Sequence, residues 1–226
     1  MAIARREALA GAVEGTVIIA EEQTAGKGRL ERSWVSPRGC IALSVILYPD
    51  PSDLPSLVMV ASLAVVKAIE SVTGQKPQIK WPNDIIINGK KVCGILVESG
   101  VCDRNRTYAV IGIGINVNIE TDSIGEVLLP ATSLSYELGR EVSRLELVKR
   151  LLVEMERLYL LAQGSGVVYQ EWWDSLETLG KRVRASSGDT VYEGIAESVD
   201  RDGSLMIRRR DGSLRRFAAG DVTLRD

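Results

Sequence analysis

The sequence predicts an α+β protein in two units, a larger one of strands and packed helices over residues 1–178 and a small all-β one over 179–226. Three observations lead there. Through the first unit, apolar β-branched runs are interleaved with two long amphipathic stretches. After Gly180 the helical signal stops, and short strands alternate with Ser187-Gly188, Asp202-Gly203 and Asp211-Gly212 turns, the density of a small barrel. The 226 residues suffice for one substantial core plus a small appended unit.

Each element has its own local reason. Residues 2–12 are rich in Ala, Leu, Arg and Glu and read as a helix closing near Gly11. TVIIAEE (16–22) is a β-branched strand, and 23–38 a loop closed by Ser36-Pro37-Arg38-Gly39. CIALSVILYP (40–49) is continuously apolar and reads as a strand buried on both faces. A helix follows over 53–73, with Asp53 as its cap and a stripe of Leu57, Val60, Ala61, Ala64, Val65, Ala68 and Ile69. Residues 78–99 read as strand, break at Pro82, strand, Asn88-Gly89 hairpin turn, strand. RTYAVIGIGINVNI (106–119) is a further apolar strand. Ser143 and Glu146 make a capping box for a helix to about 162. Its stripe is Leu147, Val148, Leu151, Leu152, Met155 and Leu158, and a shorter helix carries Trp172 and Trp173.

Composition narrows the chemistry. The chain has no histidine, which removes Ser-His-Asp and Cys-His catalysis and every histidine-ligated metal site. Lys, Arg, Asp, Glu, Asn, backbone amides and a hard cation such as magnesium remain. A net charge of −2 gives no reason to expect bulk nucleic-acid binding. No apolar run reaches membrane-span length, and the N-terminus lacks the apolar core of a signal peptide. Three cysteines, Cys40, Cys93 and Cys102, are an odd, sparse set suited to reduced thiols in the cytoplasm.

Four stretches carry candidate chemistry. AGKGRLERSW (25–34) combines glycines with Lys27, Arg29 and Arg32. Its backbone N–H groups can turn inward around an anion while an arginine clamps a phosphate bidentately. A solvated loop whose glycines only make turns fits the same letters, and the P-loop order is missing. KWPND (80–84) sets Lys80, Asn83 and Asp84 around Trp81, which is either a flat surface for a ligand ring or a core side chain. In GKKVCGILVE, strict alternation puts Lys91 and Cys93 on one face and Val92 on the other. Lys91 is then an edge charge that discourages aggregation, or a cation that holds a carboxylate beside a phosphate. In GIGIN (112–116) the glycines permit close approach, and Asn116 can meet a phosphate, a ribose or a hydrated cation. The Arg208-Arg209-Arg210 and Arg215-Arg216 clusters, interleaved with Asp200, Asp202 and Asp211, read as solvated strands rather than an RNA site.

Together and in this order the four stretches resemble the biotin protein ligase family, whose pattern is GRGRxGRxW, KWPND, K-x-x-GILVE and GxGxN. Here they stand as GKGRLERSW (26–34), KWPND (80–84), KVCGILVE (91–98) and GIGIN (112–116). The resemblance covers nearly the whole chain. It implies a class II synthetase-like catalytic domain with a mixed β-sheet and packed helices, joined to an SH3-like barrel. It also implies a two-step activity: ATP and biotin form biotinyl-5′-AMP, and a lysine of a biotin carboxyl carrier domain of an acyl-CoA carboxylase then takes the biotin.

By the same resemblance, Lys91 and Arg29 are the catalytic cations. Gln23, Gly26, Lys27, Gly28, Arg29, Arg32, Trp34, Lys91 and Gly94 bind biotin or its adenylate. Lys80, Asn83, Asp84 and Asn116 manage ATP and magnesium, with Mg2+ arriving on ATP rather than in a dedicated protein site. A homodimer or monomer is implied, with neither DNA nor membrane as partner. Three departures stand out. Met1 falls just after the family's Ser/Thr-Thr-Asn turn, so either the start is an internal methionine or the biotin site is incomplete. Lys27 replaces the usual arginine and loses its bidentate fork. Leu30-Glu31 stands where a glycine usually occupies position 31, and Glu31 brings negative charge. A lipoate or octanoate ligase, a truncated non-catalytic nucleotide- or carrier-binding paralogue and an RNA-binding module are the competing expectations.

Overall fold

The computed structural model describes residues 1–120, 130–163, 166–187, 190–218 and 221–224. A six-stranded sheet runs in the order β1-β4-β8-β7-β6-β5, from β1 (Val17–Ala20), β4 (Ile41–Leu47), β5 (Gln78–Lys80), β6 (Asp84–Ile87), β7 (Lys90–Val101) and β8 (Thr107–Ile115). Every neighbouring pair in it is antiparallel. Among the described residues, parallel pairing is confined to the isolated bridges Ile79–Leu176, Lys91–Ala131 and Arg38–Cys40, so the mixed character expected of the sheet is slight.

Period-two alternation sorts the strands onto two layers. Ile41, Leu43, Val45 and Leu47 of β4, with Ala109, Ile111, Ile113 and Ile115 of β8, face the main core under α2 (Ser56–Thr73), α4 (Arg144–Ala162) and α5 (Val167–Asp174). Ile46, Tyr108 and Val110 face the other way, onto Ala4 and Ala8 of α1 (Ala2–Leu9). β4 is buried along its whole length, as its unbroken apolar run requires.

Helix α2 is long and apolar enough to cross a membrane by length and composition, contrary to the sequence expectation that no run qualifies. It is nevertheless a core helix. Leu57, Met59 to Val66, Ala68 and Ile69 are buried between the sheet and α4 and α5. Asp53 does not cap it. Residues Pro51–Asp53 form a separate 3-10 turn, and α2 starts at Ser56 behind Pro55, a residue with no N–H to leave unpaired. Gly74, at φ 73°, closes the helix by donating its N–H to Glu70 O. In α4, Ser143 Oγ accepts the Glu146 N–H at 3.3 Å, as the capping box predicts.

Residues 23–38 are not the loop expected. β2 (Gln23–Lys27) and β3 (Ser33–Ser36) pair as a two-stranded flap around a 3-10 turn, Arg29–Glu31. Gly26 faces Trp34 in this pair, and a Cβ there would collide with the Trp34 carbonyl. The short helix α3 (Leu134–Leu138), capped by Ser133 Oγ, gave no sequence signal.

The C-terminal unit is a five-stranded antiparallel sheet in the order β12-β11-β10-β9-β13, with strands Arg182–Ser187, Thr190–Val199, Leu205–Arg208, Leu214–Phe217 and Asp221–Leu224 as β9 to β13. Gly188 of the expected Ser187-Gly188 turn lies outside the described residues. The arginines pair locally: Arg208 with Glu197, Arg209 with Asp211, Arg216 with Asp200 and Asp202. Trp81 joins this unit to the larger one. Its ring is 2% exposed, its Nε1–H donates to Gly203 O at 2.8 Å and its backbone N–H to Thr178 Oγ1 at 2.9 Å.

Two outcomes follow. Trp81→Phe keeps the ring but strands the Gly203 carbonyl, and is expected to lower urea-unfolding stability by about 1 kcal/mol. Acid titration tests the surface pairs. Arg208 holds the Glu197 carboxyl below its ordinary value, and hydrogen bonds from Ser213 do the same for Asp211. Groups depressed by folding contribute stability above the unfolded carboxylate pKa of about 4 and lose it as pH falls through the folded value. The melting temperature is therefore expected to hold from pH 7 down to about 5 and to decline below about 4.

Candidate functional site

The sheet face that carries α1 continues past the end of that helix, and there the strands bear glycine. Gly94 of β7 and Gly112 and Gly114 of β8 leave the surface without side chains, and a cavity of about 860 Å3 opens above them. The β2–β3 flap folds over it and lays Trp34 on the glycine floor. A Cβ at Gly114 would lie 2.5 Å from the indole, and one at Gly94 3.1 Å from it. The Met1 side chain lies over Gly112, and its ammonium donates to Ser44 Oγ at 3.0 Å. Burial lowers the pKa of that ammonium, against a raising effect from Glu98.

The flap turn delivers Arg29, whose Nη1 donates to Asn83 Oδ1 at 3.1 Å. Asn83 is itself held, because its Nδ2 donates to Ile95 O at 2.5 Å. Leu30 sits at φ 52°, ψ 42°, a left-handed conformation that disfavours a side chain and that glycine would adopt freely. The Glu31 side chain, on which the expected charge effect falls, lies outside those described.

Lys91 reaches the cavity by a route that alternation did not predict. Ile85 pairs with Cys93 but Ile86 pairs with Lys91, so Val92 is an extra residue in β7, a β-bulge. Val92 and Cys93 are both fully buried in the main core, and Lys91 joins the face of Gly94. The expectation that Lys91 and Cys93 share a face is therefore corrected. Lys91 Nζ lies 2.5 Å from Asp84 Oδ1 and 5.4 Å from the Trp34 ring centroid. Burial pushes the Cys93 thiol far up, with Lys91 opposing and Asp84 adding to the shift, so this cysteine packs and does not attack.

Of the sequence-derived candidates, Gln23, Lys27, Gly28, Arg29, Arg32 and Trp34 from the flap line this one cavity. So do Lys80, Asn83 and Asp84 from the β5–β6 break, Lys91 and Gly94 from β7, and Asn116 from the end of β8. Gly26 does not; its place is the flap's strand contact. Trp81 contributes to the wall from the core, so its role as a free platform for a ligand ring is not met. Sequence reasoning missed Ala131, Ser186 and Val222, which also line the cavity. The last two come from the barrel, and no local pattern points to a contact made across so much chain. The Trp34 Nε1–H is buried and has no acceptor among the described residues; a ligand oxygen could satisfy it. Among the described residues there is no group of three or more Cys, Asp or Glu side chains placed to hold a metal.

The arrangement suits an anionic ligand with an apolar end: cations at the flap and bulge, a smooth floor between. Residues 6–116 match the Biotin/lipoate A/B protein ligase family, and residues 178–225 match the Biotin protein ligase C terminal domain. The chain belongs to the biotin protein ligase family. The bifunctional ligase/repressor BirA of Bacillus spizizenii is 36% identical over 219 residues, covering 94% of this chain and 67% of that protein. The biotin–[acetyl-CoA-carboxylase] ligase of Paracoccus denitrificans is 33% identical, over 84% of this chain and 83% of its own. The biotin protein ligase of Aquifex aeolicus, solved in complex with biotin and ATP, superposes with a TM-score of 0.79 at 28% identity, covering 95% of this chain and 90% of that one. Both units of this ligase are thus matched, which separates it from a lipoate or octanoate ligase.

The floor can be tested in the ligase directly. Gly114→Ala is expected to push the Trp34 ring off the sheet and increase acrylamide quenching of tryptophan fluorescence. The same substitution in a Trp34→Phe background should leave quenching unchanged.

Proposed function

We infer that the protein is a biotin–protein ligase that makes biotinyl-5′-AMP and passes the biotin to a lysine of a carboxyl carrier domain. The observation that carries this is the convergence of Arg29 and Lys91 on one cavity through two consecutive residues, Asn83 and Asp84. A carboxylate and a triphosphate repel each other, and fixed cations between them offset that repulsion.

In this reading a biotin carboxylate oxygen attacks the α-phosphorus of ATP. The bond from that phosphorus to the bridging oxygen breaks, and pyrophosphate leaves. Lys91 and Arg29 face the charge that builds on the α-phosphoryl oxygens. Asp84 and Asn83 hold the two cations in place until substrate competes for them. The carrier lysine amine then attacks the acyl carbon of the mixed anhydride, loses a proton, and AMP departs. The β2–β3 flap that carries Trp34 folds over the cavity and would exclude water from an anhydride that water otherwise consumes.

Magnesium enters as part of the ATP substrate. One carboxylate, Asp84, and two carboxamides, Asn83 and Asn116, fit a metal that draws most of its oxygen ligands from the triphosphate. There it neutralises charge on the departing pyrophosphate. The three cysteines are free thiols, which suits work in the cytoplasm, and an acyl-CoA carboxylase carrier is the partner we propose.

The experiment is streptavidin-detected transfer of biotin to a purified carrier domain with ATP and magnesium. Transfer is expected, and Lys91→Ala should reduce adenylate formation by about 10²–10³-fold, the cost of removing one preorganised charge partner. Undiminished adenylation by that variant would take Lys91 out of the mechanism. Binding of biotin and ATP without any transfer would favour the non-catalytic binder.

A further inference from the structure

We propose that Thr132 is a positioning residue for the activation step, locking Lys91 and Asn116 into one frame through a hydroxyl–carboxylate–carboxamide chain with Glu137 and Asn88. The proposal rests on the ligase reading and concerns a segment that the sequence motifs leave out.

On one edge Lys91 keeps its β6 partner, Ile86, but the β8 ladder stops at Cys93 opposite Ile115, so another segment takes the second edge of the Lys91 backbone. That segment is residues 130–132. The Lys91 N–H donates to Pro130 O at 2.8 Å, and the Thr132 N–H donates to Lys91 O at 2.9 Å. Thr132 also holds the second polar residue: Asn116 Nδ2 donates to Thr132 O at 3.0 Å. That bond settles which end of the Asn116 carboxamide is oxygen. One fully buried residue thereby spans the backbone of the cation and the side chain of the amide.

The Thr132 hydroxyl extends the frame. Its Oγ1–H donates to Glu137 Oε1 at 2.6 Å, and Asn88 Nδ2 donates to Glu137 Oε2 at 2.6 Å. Asn88 is the first residue of the hairpin turn, at φ 51°, that feeds directly into Lys90 and Lys91. The carboxylate thus ties the turn before Lys91 to the residue that pins Lys91. Hydrogen bonds to a charged acceptor are the stronger kind, and a chain of them restricts each member more than a single pair would. A shift of about an ångström in a charge aimed at a developing oxyanion is costly in rate.

The test uses the full chain and follows single-turnover pyrophosphate release with biotin and ATP. Thr132→Val keeps the shape and deletes the hydroxyl; Thr132→Ser restores it. Thr132→Val is expected to lower kcat for adenylation about tenfold, with the KM for biotin changed by less than about twofold and the melting temperature by less than about 4 °C. Thr132→Ser should recover most of the rate, and Glu137→Gln, at a half-buried position, should cost about threefold. Wild-type kcat in Thr132→Val overturns the proposal, as does an equal loss in the valine and serine variants. If Thr132→Val does not fold, Glu137→Gln decides alone, and unchanged kcat there overturns it. A wild-type chain that forms no adenylate removes the ligase reading, a result distinct from a defect that appears only in the variants.

Discussion

A strand's side chains alternate faces, and one inserted residue reverses every assignment beyond it. In β7 that residue is Val92. With it, Lys91 faces the cavity and both Val92 and Cys93 stay in the core. Without it, the lysine would point into a packed apolar layer, where an ammonium is expensive to bury. The flap, the KWPND break and the glycine floor are all arranged around a cation whose side of the sheet is chosen by this single irregularity.

The second constraint is to keep strong charges ready without letting them collapse the site. Asp84 and Asn83 answer it in different ways: a carboxylate for the mobile ammonium, a neutral carboxamide for the planar guanidinium. Neighbours in sequence, they keep the two cations in adjacent places although the flap and β7 are far apart along the chain. The glycines supply room for an aromatic ring, and the Trp34 indole occupies it.

Much of this was legible in the chain. The unbroken apolar run of β4, the Asn88-Gly89 turn, the capped helix α4 and the turn-rich C-terminal strands follow from local rules, and the structure keeps them. Most of the motif residues meet in one cavity because the motifs lie on strands whose order is set by antiparallel pairing. What could not be read is non-local. Val92 belongs to a bulge only when β6 is laid beside it. Thr132 looks like an ordinary loop residue until Lys91 and Asn116 are brought to it, and Ser186 and Val222 reach the cavity only through docking of the barrel. Trp81 illustrates the converse: its letters suggested a ligand surface, but a buried indole needs an acceptor for its N–H, and the Gly203 carbonyl provides one.

That indole has a broader consequence. Lys80 precedes it, Pro82, Asn83 and Asp84 follow it, and all of them line the cavity with it, while the Trp81 indole is also fastened to the C-terminal unit. The stretch is a hinge pin and a reaction chamber wall at once. The C-terminal unit is therefore no detachable accessory: through Gly203 it anchors the wall, and through Ser186 and Val222 it supplies part of the lining itself.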